Sequence, residues 1–171
     1  MRLGRESGRT SMSAPITSVL MVCTGNICRS PAAEAVLRHQ LDAAGLSDVE
    51  VDSAGTGDWH AGERSHTRSR RVGEARGYVL DHRARMTTGD DRRFDLLLAM
   101  DSGHLVWLRR RFSTHTGLRL FRSYEPGCAN DRVPDVDDPY GHPIPVYEAM
   151  YDIIERTTPA IVEAIRVSRT S

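Results

Sequence analysis

The sequence predicts an α/β fold, a doubly wound four-stranded parallel sheet with helices on both faces. Four short apolar segments rich in Val and Leu alternate with stretches in which apolar residues recur at helical spacing. Strands that alternate with helices favour right-handed crossovers and a parallel sheet. Ligands of such sheets bind beyond the carboxyl ends of the strands, so the residues that follow a strand are the first candidates for a site.

Each element has its own signal. The predicted strands are Val19–Val22, Val49–Ala54, Phe94–Met100 and Leu118–Phe121. The first helix should span residues 31–45, with Pro31 at an early helical position and Gly45 as the stop. The next two crossovers are predicted to hold helices over residues 67–77 and 102–111.

The last third of the chain combines a loop and a helix. The segment 122–145 is rich in Pro and Asp and has no periodicity, which predicts a long surface loop of the kind that often carries function. Apolar residues at helical spacing from Val146 to Ile165 predict a final helix, which Pro159 should kink or restart.

Length and the first residues indicate the domain organisation. With 171 residues the chain has the size of one domain that buries a core without disulfides or metals. Residues 1–15 contain Arg, Ser and Gly but no apolar segment, which predicts a disordered tail rather than a secretory signal, with Met12 as an alternative start. The folded domain is expected to span residues 16–168.

Charge and cysteine content narrow the function classes. Basic and acidic residues balance at 23 each, so no nucleic-acid or membrane partner is expected, and no apolar run approaches the ~18 residues of a spanning helix. All basic residues are Arg, and the lack of Lys excludes a Walker-type phosphate loop and Schiff-base catalysis. Three cysteines without an export signal are typical of a reducing compartment. We expect a monomeric cytoplasmic protein.

One segment joins the first strand directly to the first helix, and it reads Cys-Thr-Gly-Asn-Ile-Cys-Arg-Ser over residues 23–30. A tight bend before a helix N-terminus points successive backbone N–H groups inward and makes a concave site for a tetrahedral anion. Gly25 and Asn26 tolerate the positive φ that such a bend demands. This pattern predicts a phosphate-binding loop formed by Thr24, Gly25, Asn26, Ile27, Cys28 and Ser30.

A thiol and a guanidinium stand at the two ends of this loop. Cys23 can lie below the phosphorus atom while Arg29 binds two equatorial oxygens. A Cys at a helix N-terminus beside an Arg forms its thiolate readily, and Ser30 can donate its hydroxyl to that thiolate. The ordinary alternative is an inert buried Cys at a strand end, but it explains none of the other residue types at their spacings.

Residues 23–30 resemble the nucleophile loop of the low-molecular-weight protein tyrosine phosphatases, which has the pattern Cys-x5-Arg-Ser near the N-terminus. The resemblance covers about residues 16–168, in the same order, through Ser53-Ala54-Gly55-Thr56, Met100-Asp101 and Asp138-Pro139-Tyr140. It implies hydrolysis of phosphotyrosine in a protein substrate through a phosphocysteine on Cys23, without a cofactor or a metal.

A phenolate leaves slowly unless it is protonated, because phenol has a pKa of about 10, so a general acid opposite Cys23 is required. By residue type alone the acid can be any of four residues, and an acidic loop is most often only solvated: Asp131, Asp135, Asp137 and Asp138. The resemblance implies that Asp138, in the Asp-Pro-Tyr segment, protonates the leaving oxygen and then activates water.

Two aromatic residues are candidates for walls that admit a phenyl ring to the floor of the loop. Trp59 and Tyr140 resemble aromatic rim positions of the family, although half-buried packing is the ordinary explanation for such residues. Trp107 lies between Leu105 and Leu108 at helical spacing and is predicted to be part of the core.

The second cysteine of the loop, Cys28, is close enough in sequence to Cys23 for a reversible protective disulfide. A metal clip is the alternative, but no cluster with the usual ligand spacing accompanies the pair.

Two positions depart from the family. Gly141 replaces a second Tyr found in many relatives, and Arg76 stands at a helix end where a His often joins the network around Asn26 and Ser53.

Three other functions compete with the tyrosine phosphatase. Protein arginine phosphatases resemble the same family, and they typically have Thr at the position of Ile27. The apolar, β-branched side chain of Ile27 favours phosphotyrosine as the substrate, whereas Gly141 is more typical of the arginine phosphatases. An arsenate reductase would need a resolving pair of cysteines downstream, and only Cys128 remains. A silent phosphotyrosine-binding module would be expected to lack the nucleophile or the acid.

Overall fold

The computed structural model describes residues 14–128 and 132–170. One parallel sheet has the strand order β2-β1-β3-β4, with β1 at Ser18–Cys23, β2 at Glu50–Gly55, β3 at Leu96–Ala99 and β4 at Leu118–Leu120. The predicted four-stranded α/β fold is confirmed. Most of the predicted tail, including Met12, lies outside the described residues, and so does Asp131.

Four α-helices and two short 3₁₀ helices surround the sheet. The α-helices are α1 (Arg29–Ala43), α2 (Thr67–Ala75), α3 (Ser102–Arg111) and α4 (Ile144–Thr170). The 3₁₀ helices, which the sequence did not predict, cover Gly89–Arg93 and Phe121–Tyr124. Within the described ranges no helix is both long enough and apolar enough to cross a membrane.

The sheet buries both of its faces, and β1 illustrates how. Alternate residues of a strand point to opposite sides. Val19 and Met21 pack in one cluster with residues of α1 and α4, whereas Leu20 and Val22 pack in a second cluster with residues of α3. This two-sided burial explains why the strand reads as a continuous apolar run.

The first helix begins two residues before the prediction, since Arg29 and Ser30 already belong to its first turn. Its end agrees with the glycine signal. Gly45 has φ +73°, and the N–H of Leu46 bonds to the carbonyl of Leu41 at 2.8 Å, as in a glycine-terminated helix. The phosphate loop therefore runs directly into α1, and the side chain of Arg29 projects from the first turn of this helix.

Two predictions about the last third of the chain need correction. Pro159 does not restart the final helix, because α4 is continuous through it and buried residues on both sides of the proline, such as Ile154 and Ile161, pack into the same core cluster. The segment 122–145 is not wholly a surface loop. Val136 is fully buried, and its N–H bonds to the carbonyl of Met100 at 2.8 Å.

Strand lengths also differ from the prediction in detail. The third strand is shorter than Phe94–Met100, because Phe94 ends the preceding 3₁₀ helix. Trp107 is only partly buried against the second core cluster rather than inside it. The carboxyl end of each strand lies within one residue of the predicted end, and Cys23 stands at the end of β1, between its neighbours β2 and β3.

Candidate active site

The loop that follows β1 bends at Gly25, which has no side chain, and at Asn26, which tolerates positive φ. Asn26 adopts φ +57° and is the one described non-glycine residue with positive φ. A side chain on Gly25 would meet the ring of His60, whose Cδ2 lies 2.8 Å from the Cβ position. The loop is tied to the segment after β2, because the N–H of Thr56 bonds to the carbonyl of Cys23 at 2.8 Å.

A buried chain of hydrogen bonds holds the nucleophile. The Sγ of Cys23 lies 3.0 Å from the Oγ of Ser30, and the amide of Asn26 donates to Ser30 at 2.8 Å and to Ser53 at 2.9 Å. Ser53 in turn donates to the carboxylate of Glu34 at 2.5 Å. Because Asn26 and Ser30 are completely buried, this network fixes the orientation of the hydroxyl that faces the sulfur.

The histidine that supports the loop is His82, not a residue at position 76. The Nε2 of His82 lies 2.9 Å from the carbonyl oxygen of Asn26, and its Nδ1 lies 2.9 Å from the hydroxyl of Ser65. Arg76 instead pairs with Asp152 at 2.8 Å, on the far side of α2. The departure at Arg76 therefore leaves the network around Asn26 intact, because the supporting histidine comes from another segment.

Arg29 supplies the positive charge of the pocket, although its side chain is only 4% exposed. Its Nη1 donates to the carboxylate of Asp101 at 2.8 Å and to the carbonyl of Val136 at 3.0 Å. Its Nη2 lies 3.4 Å from the hydroxyl of Thr24 and 3.6 Å from the carboxylate of Asp138. One edge of the guanidinium is thus anchored, while the other faces the pocket.

His104 stands behind this clamp. Its Nε2 lies 2.7 Å from the hydroxyl of Thr24, and its Nδ1 accepts the N–H of Asp101 at 3.2 Å. Burial lowers the pKa of His104 to about 4, so the ring is neutral near pH 7. Burial by itself would raise the pKa of Asp101, but the N–H and ring of His104, together with Arg29, hold it below its usual range.

The segment that carries Asp138 is fastened at two neighbouring residues, the buried Val136 described above and Asp135. Both oxygens of Asp135 accept from Ser102, one from the N–H at 2.8 Å and one from the hydroxyl at 3.2 Å. Arg122 donates to the carbonyl of Asp135 at 2.9 Å. Asp135 is therefore occupied at the start of α3, and of the described loop aspartates only Asp138 lines the pocket.

Asp138 itself is loosely held. Its side chain is 53% exposed, and within the described part of the chain its hydrogen bond is to the N–H of Tyr140, at 3.1 Å. Such a local bond orients the carboxylate within its own turn without fixing the turn to the core.

Aromatic side chains stand at the mouth of the pocket. Trp59 is 69% exposed, so half-buried packing does not explain this residue, whereas Tyr140 is 54% exposed and also packs against neighbouring rings. The indole of Trp59 lies over Gly57, at the place that a side chain there would occupy. Tyr140 contacts the rings of His60 and His66, with centroids 6.0 and 5.6 Å away.

The pocket enclosed by these groups has a volume of about 240 Å³. It is lined by nine of the residues that the sequence singled out or placed in the loop, and by His60: Cys23, Thr24, Gly25, Ile27, Cys28, Arg29, Trp59, Asp138 and Tyr140. The structure therefore brings together the predicted thiol, guanidinium, carboxylate and aromatic walls.

Cys28 lies on the inner side of the loop. Its sulfur is 3.8 Å from the hydroxyl of Tyr147, which in turn lies 3.2 Å from Nδ1 of His66. Burial raises the pKa of Cys28 to about 12, which keeps this thiol protonated. The two cysteines of the loop thus differ in surroundings, and the protective disulfide stays a prediction.

Sequence reasoning did not identify three residues of the site: His60, which lines the pocket, and His82 and His104, which reach the loop through the fold rather than through a motif. A partial signal existed for His104, since Asp101 and His104 have the i, i+3 spacing of a capping box directly after a strand.

A thiol and a guanidinium around an anion pocket, on a loop between a strand and a helix, define the class of cysteine-dependent phosphatases. Within that class, the family model described as low molecular weight phosphotyrosine protein phosphatase matches residues 18–170. The chain belongs to this family. The prediction of a low-molecular-weight protein tyrosine phosphatase, a cysteine-dependent hydrolase acting on phosphoproteins, is confirmed.

Individual relatives agree. A low molecular weight protein-tyrosine-phosphatase of Streptomyces coelicolor is 44% identical over 153 residues, which cover 86% of this chain and 93% of that protein. The solved structure of a protein tyrosine phosphatase from Entamoeba histolytica, with Hepes in its active site, superimposes with a TM-score of 0.83 at 30% identity, covering 90% of this chain and 99% of that one. The YwlE arginine phosphatase of Bacillus subtilis has a TM-score of 0.80 at 26% identity, covering 90% and 98%.

Proposed function

We propose that the chain removes phosphate from tyrosine side chains of proteins, with Cys23 as the nucleophile, Arg29 as the phosphate clamp and Asp138 as the general acid and base. The observation that carries this proposal is the arrangement of these three groups around one pocket. Arg29 connects the other two groups. Its Nη2 lies 3.6 Å from the carboxylate of Asp138, and it belongs to the same loop as Cys23.

In the first step, the thiolate of Cys23 attacks phosphorus and the bond from phosphorus to the phenolic oxygen breaks. The leaving oxygen takes the proton of Asp138, so that a neutral phenol departs. Arg29 and the N–H groups of the loop bind the equatorial oxygens, where charge develops in the transition state. The hydroxyl of Ser30, 3.0 Å from the sulfur, stabilises the thiolate as nucleophile and as leaving group.

In the second step, the carboxylate of Asp138 takes a proton from a water molecule whose oxygen attacks phosphorus. The bond from phosphorus to sulfur breaks, inorganic phosphate leaves, and the thiolate of Cys23 is restored. The exposure of Asp138 supports both roles, because the residue must reach a substrate oxygen first and a solvent water afterwards.

Phosphotyrosine is favoured over phosphoarginine by the residue in the middle of the loop. Ile27 lines the pocket with an apolar, β-branched side chain, and it offers no hydrogen bond to a guanidinium leaving group or to water. Trp59 and Tyr140 form walls that match a phenyl ring. The likeness to an arginine phosphatase keeps phosphoarginine as the second candidate.

The setting of the reaction is also part of the proposal. We infer a monomeric cytoplasmic enzyme whose catalytic domain spans residues 16–168, with no nucleic-acid or membrane partner. The balanced charge and the three free thiols Cys23, Cys28 and Cys128 support this setting, since free thiols persist in reducing compartments.

The covalent intermediate tests these roles directly. In the Asp138→Ala variant, p-nitrophenyl phosphate should still phosphorylate Cys23, because its leaving group needs little protonation, whereas hydrolysis of the intermediate should be slow. Rapid acid quenching and mass spectrometry should then detect one phosphoryl group on the peptide that contains Cys23. An adduct on another residue, or rapid turnover by Cys23→Ser, would contradict the proposal.

A further inference from the structure

Thr24 is the first residue after the nucleophile, and its side chain ends in a hydroxyl. It is exposed into the pocket that Cys23, Arg29 and Asp138 also line. Its hydroxyl oxygen has two polar neighbours on the protein side, the Nε2 of His104 at 2.7 Å and the Nη2 of Arg29 at 3.4 Å.

The direction of the hydrogen bond between His104 and Thr24 follows from the other ring nitrogen. The Nδ1 of His104 has two neighbours on Asp101, the backbone N–H at 3.2 Å and a carboxylate oxygen at 3.1 Å, and only the N–H forms a hydrogen bond with it. Nδ1 is therefore the acceptor and carries no proton of its own. In the neutral ring the single proton is then on Nε2, and burial keeps the ring neutral by lowering the pKa of His104 to about 4. His104 therefore donates to the hydroxyl oxygen of Thr24.

Arg29 also can only donate, because a guanidinium has no acceptor. A hydroxyl oxygen accepts two hydrogen bonds and donates one. With both acceptor positions of Thr24 facing His104 and Arg29, the hydroxyl hydrogen is left pointing away from them, toward the open pocket.

We propose that Thr24 binds the phosphoryl group of the substrate through its side-chain hydroxyl, and that His104 is the positioning residue that turns the hydroxyl hydrogen toward that group. The inference rests on the proposed function, since it assumes that the pocket holds a phosphoryl group. It adds a side-chain donor to the backbone N–H groups and to Arg29.

A purely structural role for His104 has different consequences. His104 also takes part in the capping box of α3 with Asp101, and that role stabilises a helix terminus without any connection to the hydroxyl of Thr24. Under that alternative, replacing His104 lowers the stability whether or not Thr24 has a hydroxyl, and anion affinity does not depend on the pair.

The test measures the competitive inhibition constant of inorganic phosphate against a small aryl phosphate. Thr24→Val keeps the shape and removes the hydroxyl, and it should weaken phosphate binding about 10-fold, since hydrogen bonds to charged groups are the strong ones. Thr24→Ser keeps the hydroxyl and should remain within about 2-fold of the native protein. Equal inhibition constants for Thr24→Val and the native protein would overturn the proposal.

A double-mutant cycle then tests the part of His104. His104→Leu should weaken phosphate binding in the native background and have no further effect in Thr24→Val, whereas His104→Gln, which retains a donor, should recover most of the affinity. Independent losses that add in the double variant would contradict the positioning role. If His104→Leu does not fold, His104→Met takes its place in the same cycle, because Met also has no hydrogen-bond donor.

These outcomes are separable from a failure of the proposed function. Turnover that survives Cys23→Ser would show that the site itself is wrong. Turnover that needs Cys23, combined with phosphate inhibition that ignores the Thr24 hydroxyl, would show that only this inference is wrong.

Discussion

The phosphate loop and the segment of Asp138 face each other across one pocket, and they are held in opposite ways. On the loop side, Asn26 and Ser30 are completely buried, and their polar side-chain atoms are hydrogen-bonded. On the opposite side, Asp138 is 53% exposed and bonds within its own turn. The first region is fixed before substrate arrives, whereas the second is free to adjust.

This difference divides the chemistry. A rigid loop binds the phosphoryl group in the same way for every substrate, which is the benefit of a preorganised electrostatic site. An exposed acid and two exposed aromatic walls meet the part of the substrate that varies, namely the leaving group and the protein around it. Changes in the loop should therefore affect all substrates equally, while changes on the opposite side should depend on the leaving group.

Among the variants that distinguish the two sides of the pocket, Asp138→Asn should have the largest effect on activity. With phenyl phosphate, whose leaving group needs a proton, kcat should fall by ~10²–10⁴. With p-nitrophenyl phosphate the fall in the first step should be far smaller, which burst kinetics would measure. A uniform loss of the first-step rate over a series of aryl phosphates would contradict the assignment of Asp138.

The second prediction concerns Asn26→Ala in the rigid loop. The substitution leaves the buried N–H of Arg85, which bonds to Asn26 at 2.9 Å, without its partner, and it places Ala at φ +57°. We expect a loss of about 2–3 kcal/mol in the free energy of unfolding. Activity should fall roughly 10–100-fold, equally for good and poor leaving groups, in line with loss of preorganised donors.

Asn26→Gly is the matched control, because glycine tolerates positive φ and also lacks the amide. Urea denaturation of the two variants separates backbone strain from lost hydrogen bonds, and Ala should be less stable than Gly by about 1 kcal/mol. A dependence of the activity loss on the leaving group would erase the distinction between the two sides of the pocket.

A smaller effect is expected at one of the points where the acid-bearing segment is fastened. Asp135→Ala removes both bonds to Ser102 and should lower kcat for phenyl phosphate about 5–10-fold, with less effect on p-nitrophenyl phosphate. Asp137→Ala is the control, because Asp137 is exposed and makes no hydrogen bond within the described ranges. Equal losses in the two variants would mean that the attachment to Ser102 does not position Asp138.

The smallest effect is predicted for Trp59→Ala at the rim. Because the indole is 69% exposed, its removal should leave the melting temperature unchanged. The KM for a phosphotyrosine peptide should rise about 3-fold, as expected for loss of one exposed aromatic contact. An unchanged KM would remove Trp59 from the substrate-binding wall.

The same contrast explains what the sequence could predict. The sheet, the first helix and the loop were predictable, because short apolar runs, helical spacing, Pro31, Gly45 and the Cys-x5-Arg-Ser spacing are local signals. Family resemblance separated Asp138 from its neighbours, which residue type alone did not. The fold then accounted for Asp135, whose carboxylate is engaged by Ser102.

The supporting residues could not be predicted in this way. His82 and His104 lie 56 and 80 positions from the loop residues that they contact, so no local pattern connects them. Val136 is buried beside Met100, the residue after β3, to which its backbone N–H bonds. The Pro-rich composition of the segment gives no sign of this contact. The sequence shows that Arg76 is no supporting histidine, but it does not point to His82 instead, since that identity depends on tertiary contacts.

The most direct test of the central claim is phosphate release from a phosphotyrosine peptide and from a phosphoarginine protein, measured side by side with Cys23→Ser as the control. We predict a preference for phosphotyrosine that disappears in the control. A preference for phosphoarginine would contradict the role given to Ile27 and to the aromatic walls, and release of neither phosphate would contradict catalysis itself.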